Sequence, residues 1–407
     1  MWFGQALTST TPSVRRRRPC PVCGGLESRH LFSQSFQQLA GAELLDGYDV
    51  VVCASCGLAF ADGIPAQEVF DAYYRDLSKY EHHHTGGRES DLDEQRFRDI
   101  AETIARFIPS QSSRVLEIGC ATGRLLALLR DAGYVNIQGL DPSPGCAQAA
   151  WDLHGVPVFT SSLFSIPSPA SWFDVVIVIG VLEHVEDLHK ALEHIRAVLT
   201  PIGRVYAEVP DASNLYGRPD APFQEFSTEH INFFSTVSLT NLFRSNRFEA
   251  LSTGQAVRQQ HENTTYPAAF GIYGKTDCAA AIERDDITES GLRRYIRESS
   301  AVDGQVRQAI ENKAAGRVLL IWGTGTHTQR LLAAGAFSNV HIAAFVDSNP
   351  KYQGRELQGI PVVSPSSLQG RREPILISTR GFQREIQDQI RTQLNLDNEV
   401  ILLYDGD

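Results

Sequence analysis

In VLEIGCATGRLL, Val115 to Leu126, a carboxylate (Glu117) stands just ahead of two glycines, Gly119 and Gly123. Glycines at a strand-to-helix turn let the backbone come close to a ligand, at the carboxyl end of a strand where doubly wound sheets bind theirs. The GxxxG spacing is not the GxGxxG of pyrophosphate binders, and an acid at the strand end repels phosphate but attracts an ammonium group. A second acid, Asp141 in GLDPSP, follows 24 residues after Glu117, where a carboxylate can take both hydroxyls of a ribose. One acid for an amino group and another for a ribose suit S-adenosylmethionine.

Two histidines sit on later connections. His184 follows the strand end IGVLE, and His230 lies in STEHINFFS, Ser227 to Ser235, after the strand RVYAEVP and a long loop. Both connections leave the carboxyl edge of one sheet. An imidazole with an unperturbed pKa of about 6.5 is matched to taking a proton at neutral pH. Glu229 beside His230 has two readings. It holds the imidazole's tautomer or raises its basicity, or it caps the helix begun by FSTVSLTNLFRSN while His230 bonds a loop. Position alone does not separate them.

Four of the seven cysteines form two CxxC pairs, Cys20 with Cys23 and Cys53 with Cys56, while Cys120, Cys146 and Cys278 are scattered. Two such knuckles match a tetrahedral four-thiolate zinc site, with Gly24 and Gly57 relaxing the turns. A redox dithiol needs one pair only. Four cysteines leave no open metal position, so the expected zinc is structural.

The elements that must position these groups are legible as a repeat of strand, turn and helix. RVLEIG, NIQGLD, FDVVIVIG and GRVYAEVP read as near-continuous apolar strands between helices such as RLLALLRDAG and DLHKALEHIRAVL. That is a parallel sheet covered on both faces. A second unit begins at Arg317 with RVLLIWGTGTHTQRLLAAG, and the charged, helix-prone stretch before it bridges the two. The fold class expected is α/β: a zinc ribbon-like module, a central doubly wound domain and a smaller C-terminal Rossmann-like domain. The boundaries expected are a tail over 1–19, the zinc module over 20–85, the central domain over 86–255, bridging helices over 256–315 and the last domain over 316–407.

The totals narrow the class further. A net charge of -11 argues against a broad nucleic-acid or acidic-membrane surface. The run Arg15 to Arg18 reads as a solvated leader, and His82, His83 and His84 as a solvated loop, since three consecutive residues cannot all face one ion. Neither a run of about 18 apolar residues nor a secretory start occurs, so the expected compartment is the cytoplasm.

The set Glu117, Gly119 and Gly123 matches the E/D-x-G-x-x-x-G signature of class I methyltransferases, and GVLEHVED matches that family's fourth motif. The resemblance covers roughly Arg114 to Leu251 and adds Ala121 and Pro142, inside the two turns, to the cofactor residues. With a four-cysteine module before it and a Rossmann-like domain after it, the chain resembles the deoxysugar C-methyltransferases. That family's motif Y-x-E-H-x-x-[YF]-[FY]-S falls on Glu229, His230, Phe233, Phe234 and Ser235, with Ser227 in place of its tyrosine. The resemblance implies methylation beside the ketone of a nucleotide-linked keto-sugar. His230 is then the base, His184 lies near the substrate, and Tyr74 and Tyr80 touch it. Structural zinc and S-adenosylmethionine are the implied cofactors. An O-methyltransferase acting on a hydroxyl and a non-catalytic binding module are the other readings.

In the last domain Gly323 and Gly325 open IWGTGTHT, Thr328 stands where a dinucleotide fingerprint has its third glycine, and Asp347 where a ribose-binding acid belongs. The domain is either a nicotinamide site or a degenerate unit that helps to hold the nucleotide end of the substrate.

Overall fold

The computed structural model describes residues 17–78, 91–218, 220–261 and 264–404. It begins with three antiparallel strands, β1 (Ser28–Ser35), β2 (Gly47–Cys53) and β3 (Ala59–Asp62). The two cysteine knuckles are the same turn made twice. Gly24 N donates to the Cys20 carbonyl at 2.8 Å, and Gly57 N to the Cys53 carbonyl at 3.1 Å. Both glycines have positive φ, which a side chain would strain. Helices α1 (Gln67–Leu77) and α2 (Asp91–Ala105) then lead into the central domain.

That domain runs β4 (Val115–Ile118), α3 (Arg124–Asp131), β5 (Ile137–Asp141), α4 (Pro144–His154), β6 (Val158–Thr160), β7 (Phe173–Ile179), α5 (Leu188–Val198) and β8 (Leu199–Pro210). It continues with β9 (Asn232–Phe233), α6 (Thr236–Ser245), β10 (Phe248–His261) and β11 (Thr264–Lys275). The sheet order is β6-β5-β4-β7-β8-β11-β10, parallel as far as β8 and antiparallel beyond. Leu116, Ile118, Val176 and Val178 are buried between helical layers, so these strands carry no polar face. The chain reverses its winding at β4, which opens a crevice at the carboxyl ends of β4 and β7.

Two expectations change here. Residues 256–315 are not all bridging helix, because β10 and β11 form a hairpin that extends the central sheet to Lys275. Only α7 (Thr288–Ala314) is a long helix in that span. Strand β9, which belongs to STEHINFFS, pairs with β3 rather than with the central sheet. The loop bearing His230 therefore runs into the fourth strand of the N-terminal sheet.

The last domain comprises β12 (Val318–Trp322), α8 (Thr326–Ala333), β13 (His341–Val346), β14 (Glu356–Leu357), β15 (Ile360–Val363), β16 (Ile375–Ile377) and β17 (Val400–Leu402). Its sheet, β14-β15-β13-β12-β16-β17, is parallel apart from β14. It packs on the other two units. Gln37 N donates to the Gln329 carbonyl at 3.0 Å, Lys351 Nζ to the Asp76 carbonyl at 3.0 Å, and an Arg380 nitrogen to the Asp220 carbonyl at 3.0 Å. Among the described residues no helix is long and apolar enough to cross a membrane.

Candidate active site

The β4–α3 turn forms a cradle. Gly119 has φ +73° and a Cβ there would come within 2.5 Å of Val181; Gly123 has φ +75° and backs onto Ala150 and Val156. Ala121, between them, also takes a positive φ of 44°. Asp141 latches this turn to its own: one carboxylate oxygen accepts from Ala121 N at 3.0 Å, the other from Ser143 N at 2.9 Å. Ser143 caps α4 through Cys146 N, with Pro144 at the first helical position; Pro142, lacking an N–H, leaves the Asp141 carboxylate to Ser143.

Glu117 faces this cradle and is buried, and its Oε2 has no hydrogen-bond partner among the described residues. Burial, and then the nearby Asp141 charge, push its carboxyl well above the usual range. An orphaned buried acid is costly unless a ligand supplies donors or positive charge. The ammonium of S-adenosylmethionine fits that demand.

Across the crevice the two histidines meet. Their rings lie 4.9 Å apart, centroid to centroid, edge to face. His184 Nδ1–H donates to the Glu229 backbone carbonyl at 2.9 Å, and the carboxylate of Glu225 lies 3.2 Å from His230 Nδ1. Beneath them Glu183 is buried, 4.0 Å from His184 Nε2, and burial raises its carboxyl to about 7. Ser227 Oγ accepts from the amides of both Glu229 and His230, so the serine at the motif's tyrosine position shapes the turn. The helix after this loop is capped by Ser235 in a box with Ser238, which corrects the reading of Glu229 as its cap.

Tyr74, on α1, turns its ring edge to His184 at 5.7 Å. Tyr80 lies outside the described residues, as do His82, His83 and His84. Of the arginine run, Arg15 and Arg16 are also outside, but Arg18 contradicts the solvated leader: it is 7% exposed and bonds the loops on either side of the histidines. A backbone already committed to carbonyls at Ile231 and Glu186 takes the guanidinium in place of water.

The thiols of Cys20, Cys23, Cys53 and Cys56 converge within 4.8 Å of one another, with Cys20–Cys56 at 3.5 Å and Cys23–Cys53 at 3.4 Å. Zinc–thiolate bonds of about 2.3 Å give a tetrahedron with edges of about 3.8 Å, so the four cysteines fit zinc.

Glu183 and Glu225 were not legible as site residues. GVLEHVED carries Glu183 beside His184, but nothing in the string says that it is buried under the pair. Glu225 sits in an irregular loop with no period, five positions before His230. A cavity of about 50 Å³ lies behind it, lined by Arg218, Asp220, Tyr266, Tyr295 and Glu298. In the C-terminal domain Asp347 repeats the latch of Asp141, accepting from Thr324 N and Asn349 N at 3.0 and 2.9 Å. Thr326, at the start of α8, approaches Thr228 at 3.5 Å.

A protein family described as a methyltransferase domain matches residues 92–253, and one described as C2185-like, N-terminal matches residues 316–402. The C-methyltransferase NovU of Streptomyces niveus is 26% identical over 345 residues, 81% of this chain and 79% of its own. The human Methyltransferase-like protein 27 is 35% identical over 77 residues, 18% of this chain and 31% of its own. Among solved structures, the Burkholderia thailandensis 1,6-didemethyltoxoflavin-N1-methyltransferase with bound S-adenosylhomocysteine is 19% identical. It covers 55% of this chain and 97% of its own with a TM-score of 0.42.

Proposed function

Starting from a chain that is a class I S-adenosylmethionine-dependent methyltransferase, we propose that its acceptor is a nucleotide-activated keto-deoxysugar, methylated at the carbon beside the ketone. The carrying observation is the His230 imidazole, 3.2 Å from the Glu225 carboxylate and packed edge to face on His184. The Glu225 carboxylate lies 3.2 Å from Nδ1, which in this reading leaves Nε2 as the basic nitrogen. That nitrogen takes the proton from the carbon, which the neighbouring ketone acidifies, and the Glu225 charge stabilises the imidazolium that results. Bound S-adenosylmethionine supplies an electrophilic sulfonium methyl, to which the enolate carbon bonds as the sulfur–methyl bond breaks.

The remaining residues bind and orient. Glu117, Gly119, Ala121, Gly123, Asp141 and Pro142 hold the cofactor, and Glu229, through its carbonyl, fixes the ring of His184 beside the acceptor. Tyr74, whose ring meets that of His184, touches the sugar. Zinc at the four cysteines staples the N-terminal module without touching substrate. The approach of Thr326 to Thr228 supports a C-terminal domain that holds the nucleotide end, in a cytoplasmic enzyme.

The test is mass spectrometry of products from nucleotide 4-keto sugars, wild type against His230→Ala, with deuterium exchange at the substrate carbon followed in heavy water without methyl donor. A carbon-bound methyl and donor-independent exchange, both lost in the variant, are expected. Methylation of a hydroxyl acceptor with no exchange sinks the carbon-acid reading in favour of O-methylation.

A further inference from the structure

Resting on the reading of His184 and His230 above, we propose that Arg18 is a positioning residue for methyl transfer, through which the N-terminal cysteine module sets the two histidine loops against each other. Arg18 stands two residues before Cys20, and its own amide is fixed by the Asp62 carboxylate at 2.6 Å, at the end of β3. Its guanidinium enters the central domain. One terminal nitrogen donates to the Ile231 carbonyl at 3.2 Å and to Asn232 Oδ1 at 2.9 Å; the other donates to the carbonyls of Glu186 at 2.6 Å and Val185 at 3.4 Å. Ile231 follows His230, and Val185 follows His184. One planar fork thus bonds the peptide next to each histidine.

Further bonds run along the same junction, and Arg18 ties them to the cysteine module. Asn232 Nδ2 donates to the carbonyls of Leu182 and Val185, and Ile231 N donates to that of Glu183. Ala61 N on β3 donates to the Ile231 carbonyl at 2.9 Å, so the cysteine module reaches the same peptide by backbone as well as by side chain. A buried guanidinium is costly unless its donors are met, and four oxygens with Glu186 4.0 Å away meet most of that demand. Lysine cannot substitute: its single ammonium is one point of charge and cannot span both loops. The distance between the two imidazoles therefore depends on Arg18, and a misplacement of about 1 Å in such a site costs on the order of 100-fold in rate.

The experiment uses the full, zinc-loaded chain with Arg18→Lys and Arg18→Gln, and His230→Ala alongside. Turnover, S-adenosylmethionine binding by calorimetry, zinc content and hydrogen exchange over residues 182–186 and 229–233 are read on each. Expected for both Arg18 variants is a kcat lower by about 10- to 100-fold, with cofactor affinity and zinc content within about twofold and faster exchange at the Ile231 amide. Arg18 variants with wild-type kcat and exchange, beside an inactive His230→Ala, overturn the role of Arg18 alone. A loss of rate that tracks lost zinc or lost cofactor binding overturns it too, in favour of plain stability. If His230→Ala turns over normally, the reading of the histidine fails, while the exchange data still decide whether Arg18 clamps the loops.

Discussion

His230 Nδ1 lies 3.2 Å from the Glu225 carboxylate, five positions upstream, while its sequence neighbour Glu229 gives a backbone carbonyl to His184. The two residues sit in the turn that Ser227 closes, and their contacts run to different partners, so the pair EH does not act as one unit there. The partner comes from the preceding loop.

From that relationship, Glu225→Gln keeps the side chain's shape beside His230 but removes the charge that stabilises the imidazolium. The acid limb of the kcat profile, which reports the base, moves to lower pH, and kcat at neutral pH falls by on the order of 100-fold. The pH–rate profile of the variant checks this; an unmoved limb denies Glu225 its role.

Glu117→Gln tests the cofactor side. A hydrogen bond to a charged group contributes about 1.5–3 kcal/mol, so affinity for S-adenosylmethionine drops by roughly 10- to 100-fold. The melting temperature without cofactor at neutral pH stays at or above wild type, because Glu117 Oε2 bonds nothing in the described protein and glutamine removes the carboxyl that burial disfavours in its charged form. Titration calorimetry and thermal melts together separate this from a folding defect, in which both would fall.

The β4–α3 turn was legible because backbone geometry dictates it. Gly119 and Gly123 take positive φ, and Asp141 must latch the turn, so residue type and spacing carry the information. The strands β4, β5, β7 and β8 were legible for the same kind of reason, being buried on both faces. The β10–β11 hairpin was not. Gln255, Arg258 and Gln259 on β10 interrupt the apolar pattern at the edge of the sheet, where one strand has a neighbour on one side only. Arg18 was illegible because four arginines in a row suggest solvent, and only the fold brings carbonyls from residues 185, 186 and 231 to one of them.

Gly57→Ala probes how the second knuckle docks. The glycine has φ +82°, and a Cβ there would collide with the backbone carbonyl of Asp285. Asp285 N donates to the Cys56 carbonyl, and its carboxylate receives the hydroxyls of Ser235, which caps α6, and Thr288, the first residue of α7. Strain and clash together cost about 2–4 kcal/mol, read as a lower urea midpoint. A midpoint equal to wild type would mean that the knuckle is free to shift away from Asp285.

Glu183 makes stability depend on pH in a definite direction. In the unfolded chain its carboxyl ionises above about 4.5, whereas burial in the folded protein keeps it protonated up to about 7. The folded state therefore binds the extra proton within that window, and unfolding releases it. Stability is complete below about 4.5 and declines as pH rises towards 7. Asp220, also pushed up to about 7 by burial and then by Glu225, adds a second decline of the same sign. Glu183→Gln removes the first: its melting temperature, equal to or below wild type at pH 5, overtakes it by pH 8. The comparison is made without cofactor or substrate, whose charges alter the field at the crevice. Parallel melting curves for the two proteins across that range would show that Glu183 ionises in the folded protein as it does in the unfolded chain.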